Sequence, residues 1–161
     1  MMLSMNIELV VVGKTDMKEV EALVSMYSKR LNHYVRFAIT TIADIRNTKK
    51  LSESEQKRLE GEAILRLVND SDHLMLLDEH GLELRSIEFA DLIQKRMSSG
   101  VKRLMFVIGG PYGFSDAVYQ RANSKLSLSK MTFSHQIVRA IFTEQLYRAF
   151  TILKNEPYHH E

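Results

Sequence analysis

The chain has 161 residues, the length of one domain, with 45% hydrophobic and 26% charged residues and a net charge of +2, as in an ordinary soluble globular protein. It has no cysteine, which excludes disulfides, thiolate metal sites and a cysteine nucleophile, and favours a reducing compartment. No apolar run reaches the roughly 20 residues of a membrane span. Met1 to Met5 lack the basic and apolar regions of a secretory signal, so a cytoplasmic protein with no membrane partner is expected.

Asn6 to Val12 (NIELVVV) reads as a strand apolar on both faces, closed by Gly13. Val20, Leu23, Val24, Tyr27 and Leu31 recur at helical spacing, predicting a helix from Asp16, its N-cap, to about Asn32. Tyr34 to Ile42 is β-branched and aromatic, a second strand. Ala43 to Leu51 is polar and basic and reads as a mobile loop. Ser52 and Glu55 form a capping box that opens a helix carrying Leu59, Ala63, Ile64, Leu67 and Val68.

A short apolar strand, His73 to Asp78, ends at Glu79-His80-Gly81. Ser86 begins a third helix with Phe89, Ile93 and Met97 in register, stopped by Ser98-Ser99-Gly100. Lys102 to Ile108 is a fourth buried strand. Strands alternate with helical crossovers, the pattern of a parallel sheet covered on both faces. One α/β domain spanning residues 1–161 is expected.

In such sheets ligands bind beyond the carboxyl ends of the strands. Two ends stand out: Leu76-Leu77-Asp78, and Gly109-Gly110-Pro111-Tyr112-Gly113, followed by the helix-capping Ser115-Asp116. The glycine spacing fits neither a dinucleotide fingerprint nor a phosphate-binding P-loop, so it reads equally as a ligand loop or a tight turn. Ser124 to Thr132 alternates hydroxyls with apolar residues, as a strand would. It leads into a helix, Ile137 to Leu153, in which 11 residues are apolar: such a helix is buried on two sides, which suggests a second subunit.

His135 and Arg139 share a face of that helix, as a candidate pair or as a helix cap and an interface arginine. Residues 100–161 carry +4 and the remainder −2, a balance that suits a phosphate-bearing partner or a plain solvated face. Pro157 ends the helix and frees Tyr158 to Glu161 as a tail. His159-His160 has no partner at metal-ligand spacing.

The segments LLD at 76–78, VIGGPYG at 107–113, LSLSKMTFSHQIVR at 126–139, EQLYRAF at 144–150 and PYH at 157–159 together resemble the RlmH family. These are SPOUT-class ribosomal RNA large subunit methyltransferases H, and the likeness runs from about Met5 to the last residue. It implies an α/β knot: a mostly parallel sheet flanked by helices, with the C-terminal segment threaded into a trefoil. It further implies a homodimer that takes S-adenosyl-L-methionine as methyl donor, without a metal. The acceptor would be N3 of a pseudouridine in helix 69 of large-subunit rRNA on the assembled ribosome.

Carried over by position, Leu77, Gly109, Leu128, Ser129, Lys130, Met131, Thr132 and Phe133 match cofactor contacts. His135, Arg139, Tyr158 and His159 match the polar positions around the transferred methyl. Where the family usually ends in Tyr-His followed by Arg or Lys, this chain has His160, and so lacks that cation. The alternative reading is a non-catalytic ribosome assembly factor that binds S-adenosylmethionine and RNA.

Overall fold

A computed structural model describes residues 4–45 and 50–160. It contains five strands and five helices: β1 (Asn6–Val12), α1 (Lys18–Leu31), β2 (Arg36–Ile42), α2 (Glu53–Arg66), β3 (His73–Glu83), α3 (Ser86–Ser98), β4 (Arg103–Ile108), α4 (Asp116–Arg121), β5 (Ser124–Ser127) and α5 (Ile137–Leu153). All strand pairings are parallel, in the order β2-β1-β4-β3-β5. The expected α/β architecture is present.

The two-residue alternation of the strands divides the core into two layers. Ile7, Leu9 and Val11 of β1, with Leu104 and Phe106 of β4, face Leu31 of α1, Phe89 and Ile93 of α3 and Phe142 and Leu146 of α5. Val10, Leu74, Leu76, Met105 and Val107 point the other way, onto Ile64 of α2 and Phe114 and Val118 of the α4 side. This is why the central strands β1, β3 and β4 read as largely apolar runs rather than alternating ones, whereas β2, at the sheet edge, fully buries only Phe37. Each fully buried Leu, Ile or Phe here contributes about 1.5–3 kcal/mol.

Several boundaries differ from the sequence expectations. The N-cap of α1 is Met17, whose carbonyl accepts the Glu21 amide at 2.9 Å, while the amide of Asp16 donates to Gln136 Oε1 at 2.9 Å. The second strand starts at Arg36: residues 33–35 close a turn back onto α1, and Asn32 Oδ1 accepts the amide of Phe37. The fourth starts at Arg103. Of the loop expected between Ala43 and Leu51, residues 46–49 lie outside the described residues. Ser52 does cap α2, accepting the Glu55 amide at 3.1 Å.

The third strand runs past Asp78 to Glu83. Its pairing with β5 skips from Leu77 to Leu82, so residues 78–81 bulge out and the ladder resumes beyond them. Gly81 permits this, since a Cβ there would stand 2.6 Å from the Leu126 backbone nitrogen. The glycine that reads as a strand terminator is the point of closest approach between two strands.

Helix α5 spans the expected residues, and α1 and α3 within the same chain cover much of it. Phe142 is fully buried, its ring centroid 4.7 Å from that of Phe106. The apolar circumference of this helix is therefore largely explained inside one chain.

Candidate functional site

The carboxyl ends of β3, β4 and β5 open into a cleft of about 460 Å³, within the usual range for a small-molecule site. Its walls include Leu77, Ile108, Gly109, Gly110, Phe114, Leu126, Leu128 and Phe133, with hydroxyls from Ser127, Ser129 and Thr132. Of the positions carried over as cofactor contacts, Leu77, Gly109, Leu128, Ser129, Met131, Thr132 and Phe133 line it, and Lys130 does not. His135 lines it as well, at the entry to α5.

The run after Ser127 is a turn rather than the strand that its alternation suggested. Ser127 Oγ donates to the Ser129 carbonyl at 3.0 Å, and Ser129 Oγ accepts the Met131 amide at 2.9 Å. These short side-chain bonds replace the ladder partners the backbone would have on a sheet. They wrap residues 128–133 around the cleft, so its wall is built partly of backbone.

The glycine loop is shaped by what lies behind it. A Cβ at Gly109 would stand 3.1 Å from the Phe114 ring, and one at Gly110 would be 2.3 Å from Glu60 Oε1. Glu60 is 3% exposed; Gln56 donates to its Oε2 at 3.2 Å while Oε1 is unbonded. Burial pushes its pKa up, against the lowering effect of Gln56. No sequence motif marks Glu60, which lies 50 positions from Gly110 in the chain.

On the rim of the cleft, Tyr119 hydrogen-bonds Asp78. Burial first, and then that carboxylate, push its phenol up to about 12. Met131 and Tyr112 are exposed at the mouth, by 78% and 42%.

The four polar candidates are not brought together. Arg139 is 2% exposed and lines no part of the cleft. Its Nε donates to the His135 carbonyl (3.0 Å), Nη1 to Gly13 O and Thr15 Oγ1 (both 2.9 Å), and Nη2 to Val12 O (2.9 Å). It ties the first turn of α5 to the end of β1. Burial lowers its pKa, with Asp16 and Asp44 opposing.

Tyr158 and His159 are seated further along α5. The Tyr158 hydroxyl donates to Glu144 Oε1 at 2.9 Å, and its ring packs edge-on against Tyr147 with the Arg148 guanidinium 4.8 Å from its centroid. His159 Nδ1 lies 3.1 Å from Arg148 Nη1. Burial and the bonds to Tyr27 and Glu144 hold the Tyr158 phenol well above its usual range. The tail expected to be free is thus docked. Its seat on residues 144–148 is roughly 9–15 Å along the helix from Val138, which lines the cleft.

Among the described residues no three histidine, aspartate or glutamate side chains cluster as metal ligands, and no helix is long and apolar enough to cross a membrane.

The profile described as "Predicted SPOUT methyltransferase" matches residues 5–159, and the chain belongs to that methyltransferase family. It is 64% identical to the ribosomal RNA large subunit methyltransferase H of Christiangramia forsetii, over 97% of this chain and 99% of that protein. Proteins of the same name from Flavobacterium psychrophilum and Parabacteroides distasonis are 58% and 55% identical over 98% of this chain and all of theirs. The resemblance drawn from the motifs stands, and the protein is an enzyme of the methyltransferase class.

Proposed function

We propose that this protein methylates large-subunit rRNA, taking the methyl group from S-adenosylmethionine held in the cleft and delivering it to N3 of a pseudouridine in helix 69 on the assembled bacterial ribosome. The observation that carries this reading is the coincidence of the cleft with the carried-over positions: seven of the eight line one cavity although the chain brings them from three separate segments. The donor set fits the cofactor. Leu77, Leu128 and Phe133 offer apolar faces for a purine, Gly109 and Gly110 leave their backbone unshielded, and the 128–133 turn offers backbone and hydroxyl partners to its edge.

When bound, S-adenosylmethionine supplies an electrophilic methyl group on a sulfonium. The protein contributes alignment of the acceptor nitrogen and removal of its weakly acidic proton. In this reading His135, which lines the cleft, accepts that proton. Arg139 acts as a positioning residue, because its bonds to Val12, Gly13 and the His135 carbonyl fix the turn from which His135 projects.

Tyr158 and His159 approach an acceptor by leaving the seat on Glu144 and Arg148 or from a second subunit. A homodimer is part of this reading. Apolar side chains of the α1 and α5 region remain exposed, among them Leu23 (44%) and Ile137 (45%), and offer it a surface. The cytoplasm, where ribosomes are assembled, is the proposed location, and the threaded knot of the SPOUT class is the proposed path of the chain into α5.

Mass spectrometry of large-subunit rRNA from a deletion strain tests the reading. Loss of one methyl from the helix 69 pseudouridine, restored by the intact gene and by purified protein with S-adenosylmethionine, is expected. Unchanged rRNA overturns it.

A further inference from the structure

A second cavity of about 400 Å³ lies beside the cleft and shares three of its walls, Asp78, His80 and Tyr119. Ala122 and Asn123, between α4 and β5, and Ser124 and Lys125, at the start of β5, complete it. Tyr119 stands between the two spaces, 38% exposed. Its hydroxyl is tied to Asp78, and its ring is braced edge-on by Phe114 at 5.7 Å between centroids. The ring is fixed in direction while remaining open to solvent. The ammonium of Lys125, itself exposed, sits over the ring, 5.6 Å from its centroid, at the end of a flexible stem.

A braced, exposed aromatic ring, a flexible cation resting over it and hydrogen-bonding side chains below are components with which proteins hold one unpaired nucleotide: the cation swings from the ring to the phosphate and the base stacks in its place. The cytosine, adenine, guanine or uracil face serves equally, so such a platform positions a strand without reading its sequence. Its place is also informative. A strand whose reacting base enters the cleft must run its neighbouring nucleotide over the rim, and Tyr119 is on that rim.

We propose that Tyr119 and Lys125 form a platform for the nucleotide adjacent to the methylated base, with the ring stacking on its base and Lys125 meeting its phosphate. This rests on the rRNA reading above and adds a positioning site to it. Lys125 lines no part of the cleft, so its share of the platform enters the kinetics through the affinity for ribosomes.

Steady-state methylation of ribosomes lacking the modification, with salt varied, tests this beside calorimetric binding of S-adenosylmethionine. Lys125→Gln is expected to raise KM for ribosomes about threefold to tenfold and to lower the salt slope by about one, with kcat and cofactor affinity unchanged. Tyr119→Ala should raise KM by about tenfold or more, whereas Tyr119→Phe, which keeps the ring, should stay within about threefold of the native KM. Lys125 is exposed and lines no part of the cleft, so its variant decides the matter even if Tyr119→Ala fails to fold. Native methylation with an unchanged KM in Lys125→Gln and Tyr119→Ala overturns the platform alone. A native protein that leaves ribosomes unmethylated overturns the rRNA reading and the platform together.

Discussion

Arg103 and Arg139 stand at opposite ends of the sheet and are satisfied in opposite ways. At the amino end, Arg103 meets carboxylates: its Nε donates to Asp72 Oδ1 at 3.0 Å, Nη2 bonds the other oxygen of Asp72, and Nη1 reaches Glu8 Oε2 at 3.1 Å. At the carboxyl end, every hydrogen bond of Arg139 goes to a neutral oxygen. The first arrangement neutralises charge and knits β1, β4 and the α2–β3 turn together. The second holds a charge beside the cleft through hydrogen bonds to neutral oxygens, with Asp16 and Asp44 near enough to favour the charge but bonded to none of its nitrogens. The buried cation at the amino end is paired with acids, whereas the one at the ligand-handling end is tied to backbone and a hydroxyl, and the buried acid there, Glu60, stands behind the glycine loop with no cation bonded to it.

Gly81→Ala should be the most damaging single change to the fold. The added carbon meets backbone, which cannot turn aside, and the β3–β5 ladder that carries the 128–133 turn must part. A loss of about 3 kcal/mol or more is expected, of the size of other severe core changes. Urea unfolding checks it, and a native midpoint would show that the two strands separate at no cost.

Asp72→Asn separates the two ends of the sheet. Removing one partner of a buried ion pair costs about 3–5 kcal/mol, and Arg103 is 27% exposed, so about 2–3 kcal/mol is expected here. Methylation measured well below the unfolding transition should remain native. The matching change at the other end, Arg139→Lys, gives up a fork that serves four oxygens. It should cost about 1–3 kcal/mol yet lower kcat by tenfold or more, because the first turn of α5 bears His135. Equal losses of activity in the two variants would erase the contrast.

Gly110→Ala should lower S-adenosylmethionine affinity about tenfold or more in a folded protein, since the new methyl displaces the loop from Glu60. Glu60→Ala in the same chain should restore most of it. Calorimetry on both variants decides whether the carboxylate sets the position of the loop.

Acid should weaken the amino end first. Burial, with Arg96 and Arg121 adding to it, depresses His73 to about 4, so the unfolded chain takes up a proton near pH 6.5 that the folded one refuses. Stability is full above about pH 6.5 and falls as the pH drops toward 4, by roughly 1–2 kcal/mol after allowance for solvent screening. Asp72 follows at lower pH. Burial raises its pKa, but the bond to Arg103 and the Asn69 amide outweigh that and hold it low, so its contribution is lost as pH falls through the folded value. His73→Gln should flatten the decline between pH 6.5 and 4.

The smallest change expected is at Glu60. Its raised pKa means that folding is opposed as pH climbs above the unfolded carboxylate value. Glu60→Gln should therefore gain about 1 kcal/mol or less at pH 8 and nothing at pH 4, read from thermal midpoints at the two pH values.

The order of strands and helices was legible in the sequence because burial on both faces leaves apolar runs such as Leu9 to Val12 and Leu74 to Leu77. The capping serine of α2 and the extent of α5 were equally local in origin. The cofactor positions were legible as motifs, through likeness to a family, and seven of the eight meet in one cavity.

Tertiary structure decided what depended on neighbours distant in the chain. Gly81 marks a strand crossing rather than a stop because the backbone of β5 lies against it, and no local pattern encodes that approach. Ser127 and Ser129 turn the chain because their hydroxyls find backbone partners before a further strand partner is available. Glu60 belongs to the glycine loop only through the packing of α2 behind β4. Arg139 and the Tyr158-His159 tail, read as acceptor-site groups from their motifs, lie outside the cleft because carbonyls at the end of β1 and side chains of α5 compete successfully for their donors. Periodicity and capping report what each segment does with its own backbone; the contents of a cleft depend on which segments the sheet brings to one edge, and that is settled only when the chain packs.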